Sequence, residues 1–352
     1  MKKIAIISTI ILVTLLSATI YAVDKLIYPD KVTVKAHKVF SYDFGETSDE
    51  GCALSVGPEG DVLVVASNLP VLTDTEVSLE WVSRQCQTGE LKCILYHFKD
   101  GKLKTIPLKS IPGPFPLAQP SGPDRYVVAT ASSYSPDKEL NGYVYDSAGT
   151  VTKKLKLGVD INQMQCDSDG NIWATYDTIQ KHENDPLNAG GLTCFDINGK
   201  NLFRYNGDTA IKRKPAVTYG LALNVVSPQE VVIGTAMKGE IVKLLNKTSI
   251  KPLGVELPDF CGYMAVSGSR LLYSYGTVVE ARLAVMDIND KTDKSSTTNR
   301  NSGRISNLNP VDENGQTIEF KERDVACRGS RLYFHNHKTV YYVDVNELDK
   351  SL

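Results

Sequence analysis

Read for the alternation of apolar and polar positions, the chain shows short β-rich segments at regular spacing rather than any sustained helical period. One unit recurs six times: an apolar segment, a tight turn bearing Gly, Asp or Ser, a second β-rich segment ending in small residues, and then a pair of strands. The first copy runs through 52–56, the turn Pro58-Glu59-Gly60-Asp61, the segment 62–67, and an outer hairpin over 91–108 that turns on Asp100-Gly101. The second has its turn at Gly122-Pro123-Asp124 and its outer hairpin over 142–157. The third is the clearest, with Asp167-Ser168-Asp169-Gly170-Asn171-Ile172-Trp173 followed by a strand pair beginning at Leu192. The remaining copies centre on 231–235, 271–274 and 332–334.

The sixth copy has only three strands, ending near Val345, while a strand-like segment over 32–44 precedes the first copy with no unit of its own. A ring of sheets closes when a strand from one end of the chain completes the sheet at the other, which leaves no long unpaired edge. The pattern therefore predicts an all-β fold, a six-bladed β-propeller closed by an N-terminal strand, as one domain over 23–352. The long insertions at 68–90, 132–141 and 176–190 all fall between the second and third strands of their units. This places them on one face, the one on which each inner strand begins, where a rigid scaffold carries recognition loops. The polar stretch 290–322, rich in Ser, Thr and Asn, reads as a mobile insertion.

Charge and the N-terminus narrow the setting. Lys2 and Lys3 precede an apolar run from Ile4 to Val23, followed through its end by small residues up to Ala22, the pattern of a secretion signal over 1–22. The run also approaches the roughly 20 residues that span a bilayer, so an N-terminal anchor is the alternative. Either way the chain is exported, and any membrane contact is through this segment. With 39 Lys+Arg against 41 Asp+Glu and no long basic run, nucleic acid is not an expected partner. Seven cysteines in an exported chain permit disulfides and leave one over. Cys86 and Cys93 are the best local pair, since the chain between them can fold back at Gly89-Glu90, although two unpaired half-buried thiols fit the same spacing. Cys52, Cys166, Cys261 and Cys327 fall on inner strands, where a small apolar residue packs well.

The segment Asn162-Gln163-Met164-Gln165-Cys166-Asp167-Ser168-Asp169-Gly170-Asn171-Ile172-Trp173 resembles the N-D-G-x-x-D-P-x-G-x-x-W signature of the gluconolactonase and regucalcin family of six-bladed propellers. The resemblance implies one divalent cation, calcium or another, at the mouth of the central channel, and an Asp that acts as base in lactone or phosphoester hydrolysis. Carried over residue by residue, it implies Glu50, Asn162 and Asp259 as metal ligands and Asp259 as the catalytic base. The fourth-blade position departs from the family, because Tyr219 of Tyr219-Gly220-Leu221 stands where a second Asn ligand belongs. Calcium takes about six to eight oxygens in irregular geometry, so three ligands with waters could hold it; a phenol in place of an amide weakens such a site. His335 and His337 sit two apart, a spacing that suits either a metal pair on one strand face or an ordinary solvated hairpin. No G-x-S-x-G, Walker or zinc-protease motif is present. Three functions remain open: a non-catalytic exported propeller whose inserted loops bind a small ligand or protein partner, the metal-dependent hydrolase, and a cation-free lyase or sugar-processing propeller.

Overall fold

The computed structural model describes residues 31–43, 52–68, 84–85, 88, 91–113, 116–130, 140–177, 185–207, 215–220, 222–236, 239–256, 261–276, 281–288, 304–321 and 324–349. The N-terminal segment 1–22 and most of the inserted loops lie outside these residues. Among the described residues no helix is long and apolar enough to cross a membrane.

Two strands precede the first repeat: β1 (Val32–Lys35) and β2 (His37–Ser41). Blade 1 is β3 (Ala53–Val56), β4 (Val62–Ser67), β5 (Cys93–Lys99) and β6 (Lys102–Leu108). Blade 2 is β7 (Leu117–Pro120), β8 (Tyr126–Ala129), β9 (Gly142–Tyr145) and β10 (Val151–Leu155). Blade 3 is β11 (Ile161–Cys166), β12 (Ile172–Tyr176), β13 (Leu192–Phe195) and β14 (Asn201–Arg204). Blade 4 is β15 (Leu223–Ser227), β16 (Glu230–Gly234), β17 (Glu240–Leu245) and β18 (Ser249–Glu256). Blade 5 is β19 (Cys261–Ser267), β20 (Arg270–Gly276), β21 (Ala281–Asp287) and β22 (Arg304–Val311). Blade 6 is β23 (Val325–Arg328), β24 (Arg331–Asn336) and β25 (Thr339–Asp344). The six sheets are antiparallel within each repeat, and the first strands of the blades neighbour one another around the centre. This is the six-bladed propeller the repeats predict, with each inserted segment where expected, between second and third strands.

The turns explain why the repeat is so regular. Asp146, Asp167, Asp196 and Asp312 each open a D-x-x-G turn in which Oδ1 accepts the N–H groups two and four residues on. A short carboxylate closes its own backbone in this way more readily than any longer side chain. The glycine at the fourth position takes φ +81° at Gly170, the left-handed region where a Cβ is strained. At Asp167 the second oxygen also accepts Trp173 Nε1–H at 2.9 Å. That bond ties the turn to an indole wholly buried between blades.

Closure differs from expectation in one respect. The segment 32–44 is two strands in two blades rather than one closing strand. β2 pairs antiparallel with β25 and completes blade 6, as predicted, but β1 pairs parallel with β22 and adds a fifth strand to blade 5. The chain crosses between blades at Ala36, whose N–H donates to Val311. Val34 and Ala36 are buried in the apolar cluster joining blades 5 and 6, whereas Phe40 and Tyr42 are buried in the one joining blades 6 and 1. A second correction concerns 290–322, of which 304–321 is ordered. Arg304–Val311 is a strand, Asp312 folds the turn after it, and Leu308, Ile318 and Phe320 are buried. Apolar residues every few positions within a polar background anchor this stretch, and a compositional reading averages them away.

Blade 6 ends on a local ionic lock. Asp344 accepts Arg331 Nε–H at 2.8 Å and Asn346 N–H at 2.9 Å, capping a 3-10 turn over Val345–Glu347. Burial alone would raise its carboxyl pKa, but Arg331, Asn346 and Ser330 together outweigh that and hold it below the ordinary value. A carboxylate depressed on folding contributes stability that is present above its unfolded pKa, near 3.8, and is lost as pH falls through the folded value. Arg331→Leu is therefore expected to lower the thermal midpoint at pH 6 and to differ less from wild type at pH 3. Melting curves across that range check it.

Candidate functional site

The inner strands leave a central channel, and their side chains close it. Polar residues on these strands donate and accept across blade boundaries. Ser55 of blade 1 donates to Ala118 O of blade 2, and Gln119 of blade 2 accepts Cys166 N–H of blade 3 at 3.2 Å. Gln163 and Gln165 of blade 3 accept Leu223 N–H and Val225 N–H of blade 4 at 2.9 and 2.8 Å. Asn224 of blade 4 reaches Met264 O of blade 5 at 3.1 Å and Gly329 O of blade 6 at 2.8 Å. An amide carries both a donor and an acceptor, so it can satisfy the inner face of a strand that has no strand beside it.

Arg328, at the end of β23, finishes the plug. Its guanidinium donates to three backbone carbonyls from three other blades: Gly57, Cys166 and Val225. Burial lowers its pKa to about 10, against nearby Asp61 and Asp167 that favour its charge. It is thus a buried cation at neutral pH. Cys166 and Cys327 line the same region as buried thiols, and burial pushes both upward, Cys327 to about 11. They serve packing, as their inner-strand positions suggest, because a thiolate is the reactive form. What remains of the channel is a cavity of about 30 Å³, room for about one water.

Two of the sequence-derived site residues are described. Asn162 lies on β11 where the register slips between Ile161 and Gln163, a bulge that re-aims its side chain. Its Nδ2 donates to Gly220 O at 2.8 Å, a carbonyl that also accepts Thr175 Oγ1 at 2.9 Å. Tyr219 is half-buried, and its hydroxyl bonds Asp177, just past β12. That carboxylate, with partial burial, pushes the phenol up to about 12. The phenol therefore stays protonated at neutral pH, a weak ligand for a hard cation, while Asn162 donates Nδ2 to a backbone carbonyl and keeps Oδ1, the atom a cation would meet. Glu50 and Asp259 lie outside the described residues, as does Cys86; Cys93 is buried at the start of β5. Among the described residues no group of three or more His, Cys, Asp or Glu converges as metal ligands would.

The segment holding His335 and His337 is the expected hairpin, but only one of its two histidines is solvated. His337 is in the β24–β25 turn at φ 44°, whereas His335 is 1% exposed, with Nε2 standing 3.1 Å from Asp324 Oδ1 without good hydrogen-bond geometry. Strand pairing explains this, since His335 on β24 lies beside the position just before β23 and turns inward.

The open space lies elsewhere on the same face. A cavity of about 580 Å³ sits between blades 5 and 6, where β23 begins and β22 ends. Buried Leu283, Leu308, Ile318 and Phe320 form its apolar base beside the buried Asp324 and His335, while Asn309 and exposed Thr317 form its rim. Its size and its mix of apolar base and polar rim are those of a small-molecule pocket. Sequence reading missed it because Ile318 and Phe320 are in the stretch read as mobile. The alternation Ile318-Glu319-Phe320 was the available signal. In blades 2 and 3 the loop bases are fixed by buried Asn141, which clamps Thr130 O, Gly158 O and Leu157 N–H, and by Asn188, which clamps Val159.

No protein-family profile matches the chain, and no curated protein matches it in sequence. Among solved structures it is similar to a catalytically inactive virginiamycin B lyase from Staphylococcus aureus in complex with quinupristin. That likeness has 10% identity, a TM-score of 0.42, and covers 88% of this chain and 99% of that one. A putative gluconolactonase aligns at 10% identity and TM-score 0.40 over 90% of this chain and 96% of its own. The β-propeller domain of the Trilobed protease from Pyrococcus furiosus aligns at 12% identity and TM-score 0.39 over 84% and 83%. The fold rests on the six sheets themselves, and at this similarity none of these proteins lends its activity.

Proposed function

We propose that the chain is an exported, non-catalytic binding propeller that takes a small ligand on the face carrying the inserted loops. Its N-terminal 1–22 acts as secretion signal or membrane anchor. The observation that carries this reading is the contrast between a channel filled by Arg328 and the amides and a cavity of about 580 Å³ between blades 5 and 6. A ligand there buries apolar surface against Leu283, Leu308 and Phe320 and finds polar partners at the rim, the division of labour common to such pockets.

The test is a thermal-shift screen of small amphipathic compounds on the full chain beside an Asn309→Trp, Thr317→Trp double variant that fills the rim. Compounds that raise the midpoint of wild type and leave the variant unmoved are expected. Shifts that persist in the variant, or none in wild type, count against the pocket. Calcium calorimetry separates the hydrolase alternative: no saturable binding is expected, and binding abolished by Asn162→Ala would favour that alternative instead.

A further inference from the structure

The opposite face carries a second cleft, of about 480 Å³, between the turn ends of blades 1 and 2. One face of the blade 1 outer hairpin looks into it with a row of basic side chains. In the β5–β6 register Lys99 stands directly opposite Lys102, and His97 opposite Lys104. All four share the face that, closer to the core, carries Leu95 and Ile106 against blade 2. Like charges directly opposite on a strand pair repel, so Lys99 facing Lys102 is unfavourable unless something negative sits over the pair.

Four carboxylates line the cleft, Glu59, Asp61, Asp124 and Asp167, but only Glu59 and Asp124 pair with the lysine row. Lys99 pairs with Glu59, the chief reason its pKa is raised, and Lys104 pairs with Asp124 at 3.1 Å. Both carboxylates are largely exposed, at 64% and 73%, and are free to swing aside. Lys102 is exposed with no carboxylate partner among the described residues. The floor, by contrast, is rigid. Tyr126 is buried and its phenol, pushed up to about 12 chiefly by burial, stays protonated and donates to His97 Nδ1 at 2.9 Å. His97 Nε2 in turn donates to buried Asp61 at 2.8 Å. Asp61 Oδ1, buried without a hydrogen bond, packs against Gly57, whose carbonyl accepts Arg328. The histidine is therefore held in place under the lysines by a chain reaching to the channel plug.

We infer that the blade 1–blade 2 cleft is a second binding site, for a small organic dianion of the phosphate-ester type. Its oxyanion bridges Lys99 and Lys102, with Lys104 closing the side. A tetrahedral dianion matches two ammonium groups facing one another across a strand pair better than a single carboxylate does, and cancels the repulsion that the ladder otherwise carries. The site uses none of the inserted loops and stands apart from the pocket between blades 5 and 6.

The experiment is calorimetry on the full chain at low salt with inorganic phosphate and with a hexose phosphate as probes. Wild type is compared with a Lys99→Ala, Lys102→Ala double variant and with Lys251→Ala, an exposed lysine on blade 4 that likewise faces a lysine, Lys243, there paired with Glu230. Saturable one-to-one binding is expected, weakened at least about tenfold in the double variant, unchanged in Lys251→Ala and falling with added salt. The thermal midpoint of ligand-free Lys102→Ala should equal or exceed that of wild type, because the substitution removes a repulsion. No saturable binding by wild type at millimolar probe, equal loss in Lys251→Ala, or a destabilised Lys102→Ala would each overturn the assignment.

Discussion

Replacing Arg328 with Met is expected to lower unfolding stability by roughly 3–5 kcal/mol. The substitution keeps most of the side-chain volume, so a cavity is not the cause. What is lost is the donor to Gly57, Cys166 and Val225, three carbonyls in three blades that no other side chain reaches at the channel floor. A buried acceptor stripped of its partner bears its full desolvation cost, and here Cys166 O and Val225 O are stripped together while Gly57 O keeps only Gly60 N–H. Arg328→Lys should recover only part, because a single ammonium cannot span carbonyls fixed on opposite sides of a ring. Urea unfolding of the three proteins measures this; a Met variant within about 1 kcal/mol of wild type would show that the plug is incidental.

The second large effect concerns the N-terminal strap. Removing residues 32–41 unpairs the outer edges of blades 5 and 6 together and strips apolar contacts from two blade interfaces. A chain lacking this segment should unfold at far lower urea and in a broadened transition, since a propeller opened at one junction loses the closure that protects its sheet edges. The components separate. Phe40 is 6% exposed and stacks on Phe98 at a centroid distance of 5.0 Å. Phe40→Ala alone should therefore cost about 3–5 kcal/mol. Deleting 32–35 should cost less than deleting 37–41, because β1 is an extra strand on a blade already four-stranded, whereas β2 completes one that has three. The reverse order would mean that the parallel clasp on blade 5, not the strand in blade 6, is the principal closure.

The two sites and the strap also bear on one another. Arg328 reaches Gly57, and Gly57 packs on Asp61 of the lysine-lined cleft, so the plug and the second site share a floor. The first pocket, by contrast, borders the strap's neighbours Leu308 and Pro310. Loss of β1 should therefore impair ligand binding between blades 5 and 6 before it affects the cleft between blades 1 and 2.

The sequence by itself determined what is local and repeated. The D-x-x-G turns, the alternation of each strand and the missing strand of the sixth unit are properties of a few neighbouring residues, so they point to blade count, blade order and the side of the insertions without any long-range information. Asn162 and Tyr219 lie near the starts of inner strands, and that position too is legible from the repeat. Tertiary structure alone decided everything that depends on what stands opposite. The segment 32–44 reads as one strand, and only the neighbouring β22 and β25 divide it between two blades. His335 and His337 have the same spacing in any strand, and only the partner strand turns one inward. Arg328 is an unremarked arginine in the chain, since its three acceptors lie 271, 162 and 103 residues away. Lys99 and Lys102 are three apart, with no conflict visible until the hairpin sets them face to face. A channel plug, a pocket between blades and a ladder of bases all arise where distant strands meet, and pairing of that range is settled by packing rather than by local preference.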